Sequence, residues 1–312
     1  MEQAGEACKT PPPPLLRPDW SDDVKPPRFR YVRPETLDEL LELRANEDVD
    51  SVILAGGQSL IPMMNFRLAR PELVIDIGGV EELQGISRVD GHVVIGAATR
   101  QAAALNAPEV IEGAPLLIQA LRHVGHVAIR NRGTVGGSIA HADPAAELPV
   151  ALLALDGSVV AQDQSGHRAV PATELFETAF TTSLRPTEVL VDVRVPASTH
   201  ARVAFGEIAR RQGDFALVNV AVSTTVEDGR FSAVRIALGG VSDVPTRCEA
   251  AEEAAITDRP SAAHLREVAR IAADSVTPRD DFHATANYRK QVAAVLVERA
   301  LADTCDVLAE VA

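Results

Sequence analysis

Two short segments hold the residue types best suited to grip a phosphate. Ala55, Gly56, Gly57, Gln58 and Ser59 (AGGQS) form one, and Thr134, Val135, Gly136, Gly137 and Ser138 (TVGGS) form the other. Without side chains at the glycines, a ligand can approach the main chain and successive backbone N–H groups can face a diphosphate. Hydroxyls at both ends of the second segment add further donors. Two such loops can clamp one dinucleotide, although a Gly-Gly pair equally serves an ordinary tight turn. The GxGxxG fingerprint is absent from both, which disfavours a Rossmann nucleotide fold.

Metal chemistry is poorly provided for. Cys8, Cys248 and Cys305 are scattered, whereas an iron-sulfur cluster takes about four thiolates and structural zinc takes clustered Cys or His. The eight histidines form no HExxH or similar set, so no metal site is expected on this chain. A formal charge of −14 opposes nucleic-acid binding, which draws on Lys and Arg to neutralise phosphates. The partners expected are proteins or small molecules. No apolar run approaches the roughly 18 residues of a membrane span, and the first residues lack the pattern of a secretion signal, so a cytoplasmic location is expected.

The elements that must position the loops follow from periodicity. FRYVR (29–33) reads as a strand and ETLDELLELRAN (35–46) as a helix with leucines at helical spacing and acids in its first turn. SVIL (51–54) is a strand running straight into AGGQS. LVIDI (73–77) and VVIG (93–96) are strands, and helices are expected from Arg100 to Leu105 and from Pro115 to His126. The segment 130–140, around TVGGS, is glycine-punctuated and reads as strand-like; 144–155 reads as an apolar helix. A hairpin about Ser165 and Gly166 and a strand at 188–195 close the first unit near Pro196. Beyond it, strands at 215–226 and 230–238 join at Asp228-Gly229, and helices run from about Cys248. The chain of 312 residues therefore divides into more than one domain, the second being a separate α+β unit.

Three stretches carry a family resemblance. ILAGGQSLIPMMNFRLARPELVIDI (Ile53 to Ile77) and IRNRGTVGGSIAHADPAAELP (Ile129 to Pro149) resemble the two FAD-binding motifs of the medium subunits in the carbon monoxide dehydrogenase / xanthine dehydrogenase family of molybdenum hydroxylases. RRQGDFALV (Arg210 to Val218) continues the pattern, which can be followed from Phe29 onward. The resemblance implies an α+β protein: an extended arm over 1–27, a two-part FAD-binding domain of the vanillyl-alcohol-oxidase type over 28–197, and a smaller domain of three strands and a helical bundle over 198–312. It implies that Ala55, Gly56, Gly57, Gln58, Ser59 and Leu60, with Thr134, Val135, Gly136, Gly137 and Ser138, line the FAD diphosphate and neighbouring groups. Glu147 stands where relatives carry a cofactor-bonding aspartate, one methylene longer. Phe215, after Gly213-Asp214, stands where an aromatic shields the flavin ring; it could equally plug the core of the second domain. Gln58 replaces a histidine found in many relatives, so noncovalent FAD is expected, and Glu207 stands where some carry lysine. His141 and Asp143 suit ligands or a structural Asp-Pro turn.

The activity implied is electron transfer. A large subunit would hold a molybdenum-pterin centre and a small subunit two [2Fe-2S] clusters, in a complex of three chains, dimerised. This chain would pass their electrons to an external acceptor. Two other readings use the same residues: a free-standing FAD-dependent oxidase or reductase, needing its own acid or base beside the flavin, and an assembly protein that has lost the cofactor.

Overall fold

The computed structural model describes residues 25–198, 200–256 and 259–305. The expected N-terminal arm lies outside the described residues except for its last three positions, and Cys8 lies outside them too.

A small parallel sheet opens the chain. Strands β1 (Arg30–Val32), β2 (Ser51–Leu54) and β3 (Leu73–Asp76) pair in the order β1-β3-β2. The central β3 is the apolar run, as a strand covered on both faces should be. Helix α1 (Leu37–Arg44) joins the first two strands; Thr36 caps it by accepting from Glu39 N at 3.3 Å, and Leu40 and Leu41 are buried against the sheet. Helix α2 (Leu60–Asn65), which periodicity does not announce, starts directly after the first glycine loop. Its Pro62 sits within the first turn, where no N–H is required.

The second part is a five-stranded antiparallel sheet in the order β4-β5-β10-β6-β7. Strands β4 (Ile86–Val89) and β5 (His92–Gly96) turn on Asp90-Gly91, both at positive φ, the signature of a tight hairpin. Helices α3 (Gln101–Asn106), α4 (Pro108–Gly113), α5 (Pro115–His123), α6 (Val127–Arg130), α7 (Val135–His141) and α8 (Glu147–Ala154) follow. The expected hairpin forms as β6 (Ser158–Asp163) and β7 (Gly166–Pro171). A turn of helix, α9 (Ala172–Leu175), leads into the ribbon of β8 (Phe176–Thr178) and β9 (Thr181–Thr182), and β10 (Val189–Pro196) completes the sheet.

The strand-like reading of 130–140 is wrong: this stretch is α6, a turn, and α7. Glycine is a poor helix former, but tertiary contact overrides propensity here. A Cβ at Gly136 would stand 2.6 Å from Ala97 Cα, so only glycine lets α7 lie on the end of the antiparallel sheet.

The last part is a sheet of three long strands, β11 (Arg202–Ala209), β12 (Ala216–Glu227) and β13 (Arg230–Gly239), extended by the two residues of β14 (Thr246–Arg247). Its hairpin turns on Asp228-Gly229, as expected. Helices α10 (Glu249–Ile256), α11 (Ala262–Asp274) and α12 (Ala286–Asp303) cover one face. Alternation along β12 sends Val218, Val220 and Val222 to those helices and Ala221 to the core of the antiparallel part. Helix α8 lies between, buried along its whole length against α5 on one side and β12 and β13 on the other. The α+β fold class is borne out.

An ionic cluster closes this seam. Arg247 bonds Glu252 and, at 2.5 Å, Asp156; Arg235 reaches the other oxygen of Asp156 at 2.7 Å. The side chains of Arg247 and Glu252 are 13% and 8% exposed, so removing the cation strands a buried carboxylate. Arg247→Met should cost about 3 kcal/mol in urea unfolding, whereas Asp156→Asn, at a half-exposed site, should cost about 1 kcal/mol or less. Equal losses would show that burial of Glu252 is not what makes the pair matter.

Candidate functional site

The first glycine loop follows from the strand it ends. β2 stops at Leu54, Gly57 takes φ +71° to reverse the chain, and α2 begins at Leu60. The N–H groups of Gly56, Gly57, Gln58 and Ser59 donate to no acceptor among the described residues. The Gln58 side chain folds back, its Nε2 donating to Gly56 O at 3.1 Å, so it leaves those amides open. The loop is thus a row of unspent donors, which suits an anion.

The second segment is built differently. Thr134 caps α7, its Oγ1 accepting from Gly137 N at 3.0 Å, while Val135 N and Gly136 N donate to Thr99 O and Ala97 O, each at 3.0 Å. Most of its amides are therefore spent on its own fold, and the expected second cradle of free N–H groups is not formed. Gly136 and Gly137 serve close packing instead; a Cβ at Gly137 would stand 2.6 Å from Thr134 Oγ1.

The two segments nevertheless meet. A Cβ on Gly56 would stand 2.5 Å from Arg132 O and 2.6 Å from Gly133 Cα, so backbone lies on backbone. Arg100 Nη1 donates to the same Arg132 O and fixes it from the far side. Buried Gln101 backs Thr134, its Nε2 donating to Thr134 O at 3.5 Å.

Both segments line one cavity of about 900 Å³, within the roughly 300–1,000 Å³ of ligand clefts. Ala55, Gly56, Gly57, Gln58, Ser59, Leu60, Thr134, Gly136, Gly137, Ser138, Glu147 and Phe215 all reach it. Val135 does not: it is 1% exposed and belongs to the apolar core, because helical geometry turns it away from its glycine neighbours. Phe215 is 76% exposed at the cavity rim, so it is no core plug. His141 and Asp143 also reach the cavity, with Asp143 Oδ1 closing an Asx turn on Ala145 N at 2.9 Å and His141 tilted on Phe180 at 5.1 Å. Sequence reading missed the wall from Phe180 to Leu190, which has no motif; only the positive φ of Phe180 marks it as special. A neighbouring cavity of about 1,120 Å³, holding Arg210, Arg211 and Phe282, shares the Phe215 edge but neither glycine segment.

Comparison with known proteins bears on this geometry. Residues 27–198 match the family model described as the FAD binding domain in molybdopterin dehydrogenase, and residues 203–304 match the CO dehydrogenase flavoprotein C-terminal domain. The chain belongs to the FAD-binding subunits of this family. It is 42% identical over 281 residues to the 6-hydroxypseudooxynicotine dehydrogenase complex subunit alpha of Paenarthrobacter nicotinovorans, covering 89% of this chain and 95% of that one. Among solved structures, carbon monoxide dehydrogenase from Hydrogenophaga pseudoflava, in a form lacking the Mo-pyranopterin moiety, superposes with TM-score 0.87 at 36% identity, covering 89% of this chain and 98% of that one. Quinoline 2-oxidoreductase from Pseudomonas putida 86 gives TM-score 0.86 at 35% identity, covering 90% and 98%. The residues present fit FAD: an open row of amides for a diphosphate, a cleft of cofactor size and an exposed aromatic at its rim.

One flavoprotein feature is electrostatic. Glu147, at the start of α8, is 9% exposed, and burial pushes its carboxyl up to about 7, with Asp143 raising and Arg130 lowering it. Glu207 is pushed up to about 8 by burial and then by Glu147. The native state therefore binds more protons than the unfolded chain between the ordinary carboxyl range and these values, and stability must fall as pH rises through them. The melting temperature should drop from below about pH 7 to above about pH 8, and Glu207→Gln should flatten that drop. A wild-type melting temperature level across this window would refute the assignment.

Proposed function

We propose that this chain holds FAD noncovalently between its glycine segments and serves as the electron-transfer subunit of a heteromeric molybdenum hydroxylase. Its FAD-binding domain spans 28–197 and its C-terminal domain 198–312. It takes electrons from two [2Fe-2S] clusters of a small subunit, themselves fed by a molybdenum-pterin centre on a large subunit, and passes them to an external acceptor. The assembly is cytoplasmic and dimerised. No helix among the described residues is long and apolar enough to cross a membrane, and no group of three or more His, Cys, Asp or Glu among them could hold a metal ion.

The observation carrying this reading is the row of undonated amides, Gly56 to Ser59, pressed against the backbone before Thr134 in one cleft. Those four N–H groups would hold the diphosphate by charge-assisted hydrogen bonds, with the Ser138 hydroxyl, on the lining of the same cleft, as a further donor. Phe215 and Phe180, exposed on the cleft lining, would offer π faces to shield one side of the flavin ring. When bound, FAD supplies the one- and two-electron chemistry. Substrate choice lies elsewhere: relatives named for 6-hydroxypseudooxynicotine, carbon monoxide and quinoline share this one flavin-chain fold.

Gly56→Ala should push the two segments apart, because its Cβ would meet main chain at 2.5 Å and 2.6 Å. Loss of even one charge-assisted hydrogen bond, about 1.5 kcal/mol, weakens FAD about tenfold, measurable by fluorescence titration of the apoprotein. The native complex should copurify this chain with two others, molybdenum and iron, and release its FAD on acid precipitation. Isolation of this chain alone and metal-free, turning over a small molecule by itself, would instead make it a free-standing flavin enzyme.

A further inference from the structure

The helix that follows the first glycine loop ends on a bared apolar turn. Helix α2 closes at Arg67, a non-glycine residue in the left-handed region at φ +57°, with Arg67 N donating to Met64 O at 2.9 Å and Leu68 N to Met63 O at 2.8 Å. The turn leaves Phe66 and Leu68, on either side of Arg67, each 76% exposed. Met63 and Ala69, close to them in the chain, line the cleft that carries the amide row. Two large apolar side chains exposed within three residues mark a surface that a binding segment can cover.

The chain itself leads to this surface. Arg30 N donates to Glu72 O at 2.8 Å, and Arg67 Nε donates to Lys25 O at 3.4 Å. Residues 25–30 therefore run beside 67–72, and the first described residue, Lys25, is bonded to the residue between Phe66 and Leu68. The 24 residues before it hold the chain's single tryptophan, Trp20, together with Leu15 and Leu16. Trp20 stands among Asp19, Asp22 and Asp23, whereas the charged residues of the turn are Arg67 and Arg70, joined by Arg70 Nε donating to Arg67 O at 2.9 Å. Both segments thus pair an apolar centre with charge, of opposite sign. The arm is also an addition to the family pattern: the FAD-domain model begins at residue 27, and 89% of this chain suffices to cover 98% of the Hydrogenophaga pseudoflava structure.

We propose that the N-terminal arm of this same chain docks on the turn that ends α2, Trp20 covering Phe66 and Leu68 and its flanking aspartates facing Arg67 and Arg70. Five residues at about 3.3–3.6 Å each keep Trp20 within about 18 Å of Lys25. So short a tether gives the arm an effective concentration on the order of millimolar, which favours it over a free partner of similar contacts. Docked, the arm backs the wall formed by Met63 and Ala69 and buttresses the helix that starts where the amide row ends. This holds whatever ligand the cleft takes.

Trp20 reports on the arm by itself, because the chain has no other tryptophan. In the FAD-free, full-length chain its emission should be blue-shifted and weakly quenched by acrylamide. In the double variant Phe66→Ser with Leu68→Ser, emission should move to the red and quenching rise to that of an indole in water. Both side chains are exposed, so the melting temperature should stay within a degree or two. As a second measurement, amide hydrogen exchange over 66–69 should speed up in Trp20→Ser. A water-exposed Trp20 in the wild-type chain overturns the proposal and leaves the turn to a partner chain. Burial that persists in the double variant places the arm elsewhere and overturns it too. Burial that disappears on dilution, as a dimer dissociates, assigns the arm to a second copy and overturns docking within one chain. Exchange over 66–69 that is unchanged in Trp20→Ser overturns it as well.

Discussion

The cleft depends on one contact: the backbone of Gly56 lying against the backbone of Arg132 and Gly133. Two distant stretches of chain, one leaving a parallel strand and one entering a short helix, touch there without an intervening side chain. Arg100 donates to the same carbonyl and so ties down the contact. It brings the open amides of 56–59 and Ser138 onto the lining of one cleft. Any Cβ at Gly56 must displace main chain, which no rotamer change can relieve.

The two glycine segments look alike as strings and differ in physics. AGGQS was legible because a β-branched strand runs straight into it and Gly57 needs positive φ, a local requirement that composition reveals. TVGGS was misjudged because glycine argues against helix locally, while the reason for Gly136 is a remote neighbour, Ala97, invisible without the fold. Val135 was drawn into the site by adjacency alone; helical periodicity sends it to the core. The hairpins at Asp90-Gly91, Ser165-Gly166 and Asp228-Gly229 are set by their turn residues, though only the latter two were read from sequence. Glu207 stood out only as a departure from relatives, and its burial, which gives it meaning, is a property of the seam between domains.

The amide row and Glu147 line the same cleft, so charge in that cleft bears on any anion held there. A diphosphate placed there would bring negative charge, which the loop would meet with neutral dipoles rather than with Lys or Arg. Burial raises the Glu147 carboxyl to about 7, so at neutral pH it carries less negative charge than an ordinary carboxylate. Asp143, half of an Asx turn, raises Glu147 further.

Helix α8 is apolar on every side because two cores claim it, that of the antiparallel sheet and that of the C-terminal sheet. A seam so dry has no plane of easy slip, and the ionic cluster at Asp156 pins its end. The two domains therefore behave as one rigid frame and cannot breathe apart like a hinged jaw. What remains free to adjust at the cleft is its rim, where Phe180 and Phe215 stand 57% and 76% exposed, so adaptation to a ligand falls to side chains rather than to the architecture.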